Sequence, residues 1–268
     1  MSRSIWLVAL IKKTFSGRFT LARTTGLPVI GGIVDHLFFR DDRMVYLPMD
    51  RVVQINKKLE EPSQSFLPSA VAEHFVRSAS RRWVMNECIC RSASHCEDYP
   101  AGLGCLFLGE AAAHIDPRLG RPVSEAEALE HLKKCRDAGL VHMIGRDRLD
   151  AVWLGVSPGH KLMTICSCCP CCCLWKMLPV LSGDIGSRFV KMPGVSVSVR
   201  DSCIGCGKCE RACFLSAIKV VDGRAAIGGD CRGCGRCADV CPSKAIVVSV
   251  DDRMAEAIAM VTSSADIS

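Results

Sequence analysis

The sequence predicts an α+β fold, and three observations carry the prediction. Residues 124–156 read in succession as a helix, a strand, a turn and a second strand, a unit that looks like half of a winged helix. Residues 195–250 read as strands and a hairpin set around two cysteine loops. Those loops repeat each other: Cys203, Cys206, Cys209 and Cys213 recur as Cys231, Cys234, Cys237 and Cys241 at a constant offset, and Ala217-Ile218 recurs as Ala245-Ile246. A chain of 268 residues is one large domain or two smaller ones. The repeat needs only residues 195–250, so a cysteine-rich domain is expected over 61–182, with a segment 1–60 before it and a helix and tail, 251–268, at the end.

In chain order, the start is basic. Arg3, Lys12, Lys13, Arg18 and Arg23 fall among the first 34 residues with no acid, in a chain of formal charge +6. Ile5–Phe15 reads as a short helix. It is far too short to span a bilayer, and is suited to docking on a partner subunit or lying in a membrane interface. Gly and Pro punctuate residues 26–48, which read as short extended pieces, 29–34 and 44–47; residues 49–60 read as a short helix. A helix is expected from Ser69, its N-cap, to about Val84, with Val71, Phe75, Val76, Ala79 and Trp83 on one face. Ser124-Glu-Ala-Glu127 is a capping box that starts the next helix, and Gly139 ends it. Leu140–Ile144 and Leu149–Val156 then read as the two strands of the wing. Residues 174–200 read as a linker ending in the strand Val195–Val199. Asp222-Gly223 marks a hairpin turn. After Ala245–Val250 comes a final helix docked on the front domain, then a mobile tail, 263–268.

Cysteine is the chain's dominant chemistry. Nineteen thiols imply a reducing compartment, hence a cytoplasmic location. Two front stretches concentrate them: Cys88, Cys90, Cys96 and Cys105, with His95 a weaker candidate, and then Cys166, Cys168, Cys169, Cys171, Cys172 and Cys173. Vicinal cysteines bridge poorly, so soft-metal chemistry is indicated. The choice stays open between a further iron–sulfur cluster shared by both stretches, zinc, a redox role and inert buried thiols.

In the C-terminal repeat each half has the C-x2-C-x2-C-x3-C spacing that holds a [4Fe–4S] cube, and Gly205, Gly207, Gly233 and Gly235 allow the tight loops this needs. Zinc sites also use CxxC pairs, but do not need four thiolates at this spacing twice over. The stretch resembles the two-cluster bacterial ferredoxins. The resemblance implies a βαββαβ-like domain with crossed ligation: Cys203, Cys206, Cys209 and Cys241 around one [4Fe–4S] cluster, and Cys231, Cys234, Cys237 and Cys213 around the other. One departure is Phe214, standing where the second half has Pro242.

Residues 84–248 also resemble a group of ferredoxin-domain proteins of anaerobes, through Cys88-x-Cys90-Arg91, Gly104-Cys105-Leu-Phe-Leu-Gly109 and Ile165-Cys-x-Cys-Cys-Pro-Cys-Cys-Cys173. That implies an anaerobic setting and a front domain of unassigned chemistry. The function expected is electron transfer, as a non-catalytic subunit of an oxidoreductase that meets redox partner proteins in a larger complex. Peripheral membrane contact on the cytoplasmic face would run through residues 1–25. The alternatives are a redox enzyme whose front cysteines build a substrate- or sulfur-handling site, and a redox-sensing regulator. No nucleotide loop or flavin motif is present, and no basic, aromatic-interleaved stripe suggests nucleic acid. Lys208, Arg211, Arg232 and Arg236, beside the thiolates, could offset cluster charge, mark a docking face, or simply sit in solvated loops.

Overall fold

The computed structural model describes residues 5–55 and 67–268. Twelve strands are present among them: β1 (Arg43–Tyr46), β2 (Val53–Ile55), β3 (Arg82–Met85), β4 (Leu106–Leu108), β5 (Gly120–Pro122), β6 (Val141–Arg146), β7 (Met163–Cys168), β8 (Phe189–Lys191), β9 (Val195–Val199), β10 (Ile218–Val221), β11 (Arg224–Ile227) and β12 (Ile246–Val250). Seven form one sheet, in the order β5-β3-β4-β7-β6-β1-β8. All its pairs are antiparallel except β1 with β8. β9, β12 and β2 form a second sheet, and β10–β11 a hairpin.

The large sheet is covered on both faces, so its central strand β7 is buried at every position. Side chains alternate across a strand. Met163 and Ile165 therefore enter a core with Val71, Phe75, Leu132 and Val261, from the helices Ser69–Ser78, Glu125–Asp137 and Met254–Thr262. Cys166 and Cys168 face the opposite way, into a second core with Tyr46, Trp175 and Phe189. The first core also takes in Val248 and Val250 of β12, so the ferredoxin-like part shares apolar packing with the front of the chain.

Several expectations hold. The capping box is complete, with Glu127 N–H donating to Ser124 Oγ at 3.2 Å and Ser124 N–H to the Glu127 carboxylate at 2.9 Å. The C-terminal strands and helices follow the order βαββαβ: β9, Lys208–Ala212, β10, β11, Arg236–Asp239, β12.

Others are corrected. There is no winged-helix hairpin, because residues 148–154 are a helix, Arg148–Leu154, rather than a strand. The Asp147 carboxylate accepts from Leu149 N–H at 3.0 Å and caps it, and Gly155 ends it at φ 66°. β6 pairs instead with β7 and β1. Residues 30–38 are a helix, not an extended piece, with Gly31, Val34 and Phe38 at i, i+3 and i+7 forming its inward stripe. The helix from Ser69 stops at Ser78 with Pro68 as its cap residue, and Arg82–Met85 is β3. The segment 1–60 is not a separate docking piece over its second half: Arg43–Tyr46 lies inside the seven-stranded sheet, and Val53–Ile55 pairs with β12. Residues 50–52 form a single short turn of helix, Val53–Ile55 are strand β2 rather than helix, and residues 56–60 of the expected helix lie outside the described residues. The expected linker contributes β8, and the C-terminal tail is held, with Ser80 N–H donating to Ile267 O and Asp266 N–H to His160 O, both at 2.9 Å. Among the described residues, no helix is long and apolar enough to cross a membrane.

Candidate iron–sulfur and thiol sites

The eight repeat cysteines gather into two sets, and each set is mixed. One small cavity is lined by Cys203, Cys206, Cys209 and, from the second half, Cys241. Another is lined by Cys231, Cys234, Cys237 and, from the first half, Cys213. The cause is the fold's own pairing: β9 lies antiparallel to β12, which brings each loop against the helix of the other half. Backbone amides point at the sulfurs, from Ala225 to Cys203 and Gly233 to Cys231 at 3.4 Å, and from Ala245 to Cys241 at 3.3 Å. Four thiols around a cavity, with N–H donors aimed at them, fit the thiolate shell of a cube.

The ten candidate cysteines of the front domain do not form one site. Six thiols, Cys88, Cys90, Cys105, Cys166, Cys168 and Cys173, line one wall of a cavity of about 840 Å³, to which Cys169 also contributes. Leu106 is in register with Ile165, so Cys105 and Cys166 extend that pairing on the cavity face, with their sulfurs 3.9 Å apart. The six thiols act on one another. The Cys90 thiol holds Cys88 down to about 7. Those of Cys166 and Cys173 push Cys168 well below the usual thiol range, while Cys90, Cys166 and Cys173 are themselves raised. The other wall comes from the N-terminal helices, through Leu7, Ile11, Phe15 and Leu21. Arg18 also lines it, stacked at 4.3 Å on Phe15 and 4.4 Å on Phe19. Burial lowers the pKa of Arg18, and nearby Cys90 and Cys173 partly restore it.

The other four, Cys96, Cys169, Cys171 and Cys172, stand together as a second group, with all their sulfurs within 4.8 Å of one another. Cys169 follows the last residue of β7, packs with Cys135 of the helix Glu125–Asp137, and joins the quartet to the cavity lining. His95 is exposed and belongs to neither group.

Sequence reasoning passed over three elements. Asp147 and Asp150 stand beside Cys166 in the cavity, and burial raises both carboxyls. Asp150 accepts from Trp153 Nε1 at 2.7 Å and Thr164 Oγ1 at 2.9 Å. Tyr46, fully buried, packs in one core with the front thiols Cys168 and Cys173 and with Cys234 of the second repeat set; burial pushes its hydroxyl well up, and those three thiols add to the shift. Phe214 packs beside it, ring centroids 6.3 Å apart. Arg91 is buried between the two front groups and donates to Pro100 O at 3.0 Å, Ser167 O at 2.9 Å and Leu103 O. Only Arg91 carried a signal, through its place next to Cys90; carboxylates and a tyrosine at isolated positions gave none.

The basic residues of the repeat separate as well. Lys208 and Arg211 are exposed. Arg232 is half-buried and donates to Gly186 O at 3.3 Å. Arg236 is buried and donates to Cys168 O at 2.6 Å and Gly139 O at 3.5 Å. Arg236 is thus an internal tie, not part of a docking face.

Residues 202–246 match the family described as the 4Fe-4S dicluster domain. Comparison of the chain with curated proteins and with solved structures gives no match. The C-terminal part is therefore a ferredoxin-type iron–sulfur domain, and with the clustered front cysteines it points to iron–sulfur electron transfer.

Proposed function

We propose that the chain is an electron-transfer protein, or subunit of a larger redox complex, that relays single electrons through two [4Fe–4S] clusters toward a third thiol-bound centre in the front domain. The observation that carries this is the mixed lining of the two repeat cavities, with the second set turned toward the front thiols. Cys203, Cys206, Cys209 and Cys241 would hold the outer cluster, and Cys231, Cys234, Cys237 and Cys213 the inner one. Bound clusters supply one-electron chemistry, with potentials set by their surroundings.

The chain's own residues organise the path. Lys208 and Arg211 present positive charge at the exposed first loop, where an acidic redox partner would dock. Tyr46 and Phe214 fill the space between the inner cysteine set and the front thiols with packed rings, so the path crosses protein instead of water. Four of the six thiols Cys88, Cys90, Cys105, Cys166, Cys168 and Cys173 would ligate a further cluster at the cavity wall. An anaerobic cytoplasm is the setting this reading carries.

A second reading is favoured by the cavity itself. It is apolar, it is large enough for a small molecule, and it holds two raised carboxyls beside the thiols. Reduction of a substrate there would draw its protons from Asp147 or Asp150, and the chain would then be an enzyme. Trp6 and Val29, exposed on the outside of the N-terminal helices, would hold the chain to its complex or to a membrane surface.

The test is iron and acid-labile sulfide per chain on anaerobically purified protein, with EPR after dithionite reduction. Two cubes give about eight iron and a third gives about twelve. The relay reading expects about twelve, and a signal lost on Cys168→Ser while the two interacting ferredoxin signals persist. About eight iron, with spectra indifferent to Cys168→Ser, would remove the third centre. Trp6→Ser with Val29→Ser should release the chain from its complex or membrane fraction; unchanged fractionation would remove that contact.

A further inference from the structure

We propose that Cys96, Cys169, Cys171 and Cys172 form a mononuclear zinc site, separate from every iron centre of the chain. The four sulfurs all lie within 4.8 Å of one another, and Cys96 and Cys171 are 3.3 Å apart. A zinc ion with Zn–S bonds of about 2.3 Å spaces four tetrahedral thiolates about 3.8 Å apart. A cube places four irons between its thiolates and holds them wider than this. The compactness of the quartet therefore selects one ion over a cluster, and an all-sulfur tetrahedral set selects a soft or borderline cation.

Two further features fit an anion of that kind. Cys172 N–H points at Cys169 Sγ at 3.4 Å, as amides do around bound thiolates. Arg91, buried, donates to three backbone carbonyls, all neutral, while its charge acts on Cys169 on one side and on Cys88 and Cys105 on the other. A buried cation needs negative charge close by. Zinc with four thiolates carries a net charge of −2 and would supply it. Binding releases the four thiol protons and leaves all oxidation states unchanged.

The site's position gives it a role. Three ligands come from the turn that follows β7, and the fourth comes from the loop after the helix Ile89–Ala93. The ion would pin that turn to that loop. Cys168 and Cys173, which flank the turn, face the cavity. The zinc would thus fix the positions of two cavity thiols, and Cys169 is the one ligand that also lines the cavity. The proposal does not depend on the relay reading, since it concerns a different metal on different residues.

The test uses full-length protein purified anaerobically, with zinc and iron both counted. One zinc per chain is expected. Cys96→Ser and Cys171→Ser should each lose it and leave iron content and the ferredoxin EPR signals unchanged, whereas Cys135→Ser, beside the site, should keep it. Zinc absent from protein made with ample zinc would overturn the proposal. So would loss of iron in Cys96→Ser, or a Cys96–Cys171 disulfide found in the anaerobic protein. Should the variants fail to fold, X-ray absorption at the zinc edge of the unaltered protein decides: four sulfurs at about 2.3 Å support the site, and nitrogen or oxygen ligands exclude it.

Discussion

Cys206 of the first repeat loop is exposed, with Ile204 beside it 66% exposed and Lys208 and Arg211 in solvent. The matching loop of the second half is enclosed. Cys234 O accepts from Met49 N–H at 3.1 Å, Gly235 abuts Val52, and Arg236 reaches Cys168 O in the front domain. The spacing of the two halves is the same, so their settings come from what packs on them. β2 lies beside β12, and the turn before β2 closes over the second loop. A symmetric duplication thereby acquires one outward and one inward end.

Ligand removal should break this comparison most severely. Cys234→Ala should lose about half the ferredoxin iron and also loosen the front domain, whereas Cys206→Ala should lose comparable iron with the front domain intact. Iron counts with thermal unfolding distinguish them, and equal destabilisation would mean that the inner loop is not buried as described.

The paired glycines come next. Gly207 and Gly235 both have positive φ, 72° and 88°, so alanine at either costs about 1–2 kcal/mol. A Cβ on Gly207 meets only the Arg211 side chain, at 3.4 Å, while one on Gly235 falls 2.6 Å from Val52 Cγ2. Gly235→Ala should therefore cost about 1–3 kcal/mol more, by overpacking. Denaturant unfolding of the iron-loaded protein reads the difference.

Arg236→Met should cost about 2–3 kcal/mol, because two buried carbonyls lose a charged donor. Arg211→Met, at the exposed counterpart, should stay within about 0.5 kcal/mol. The smallest effect is kinetic. Lys208→Glu with Arg211→Glu should slow electron uptake from an acidic donor about tenfold at low salt, and less as salt rises. Stopped-flow reduction at two ionic strengths checks it, and salt-independent slowing would point away from charge steering.

Legibility followed the range of the interactions. The helix Glu125–Asp137 was plain because its cap is four residues long. The stretch 149–156 reads as a strand because a short apolar run suits a strand or a helix equally, and the capping Asp147 decides for the helix. The front cysteines were recognised as metal candidates but not sorted. Their grouping depends on strand alternation at the end of β7 and on the β4–β7 register, and no spacing along the chain encodes either. Asp150 gives no signal because it comes beside Cys166 only once the helix Arg148–Leu154 packs against β7.

By itself the sequence determined the iron–sulfur domain, since the ligands of a cube come from loops a few residues long whose spacing is the geometry. Tertiary structure alone decided the rest: which loop faces solvent, which thiols share the cavity, and that residues 43–55 are built into both sheets. Those outcomes are pairings between distant strands, fixed by buried faces that form only once the whole chain has packed.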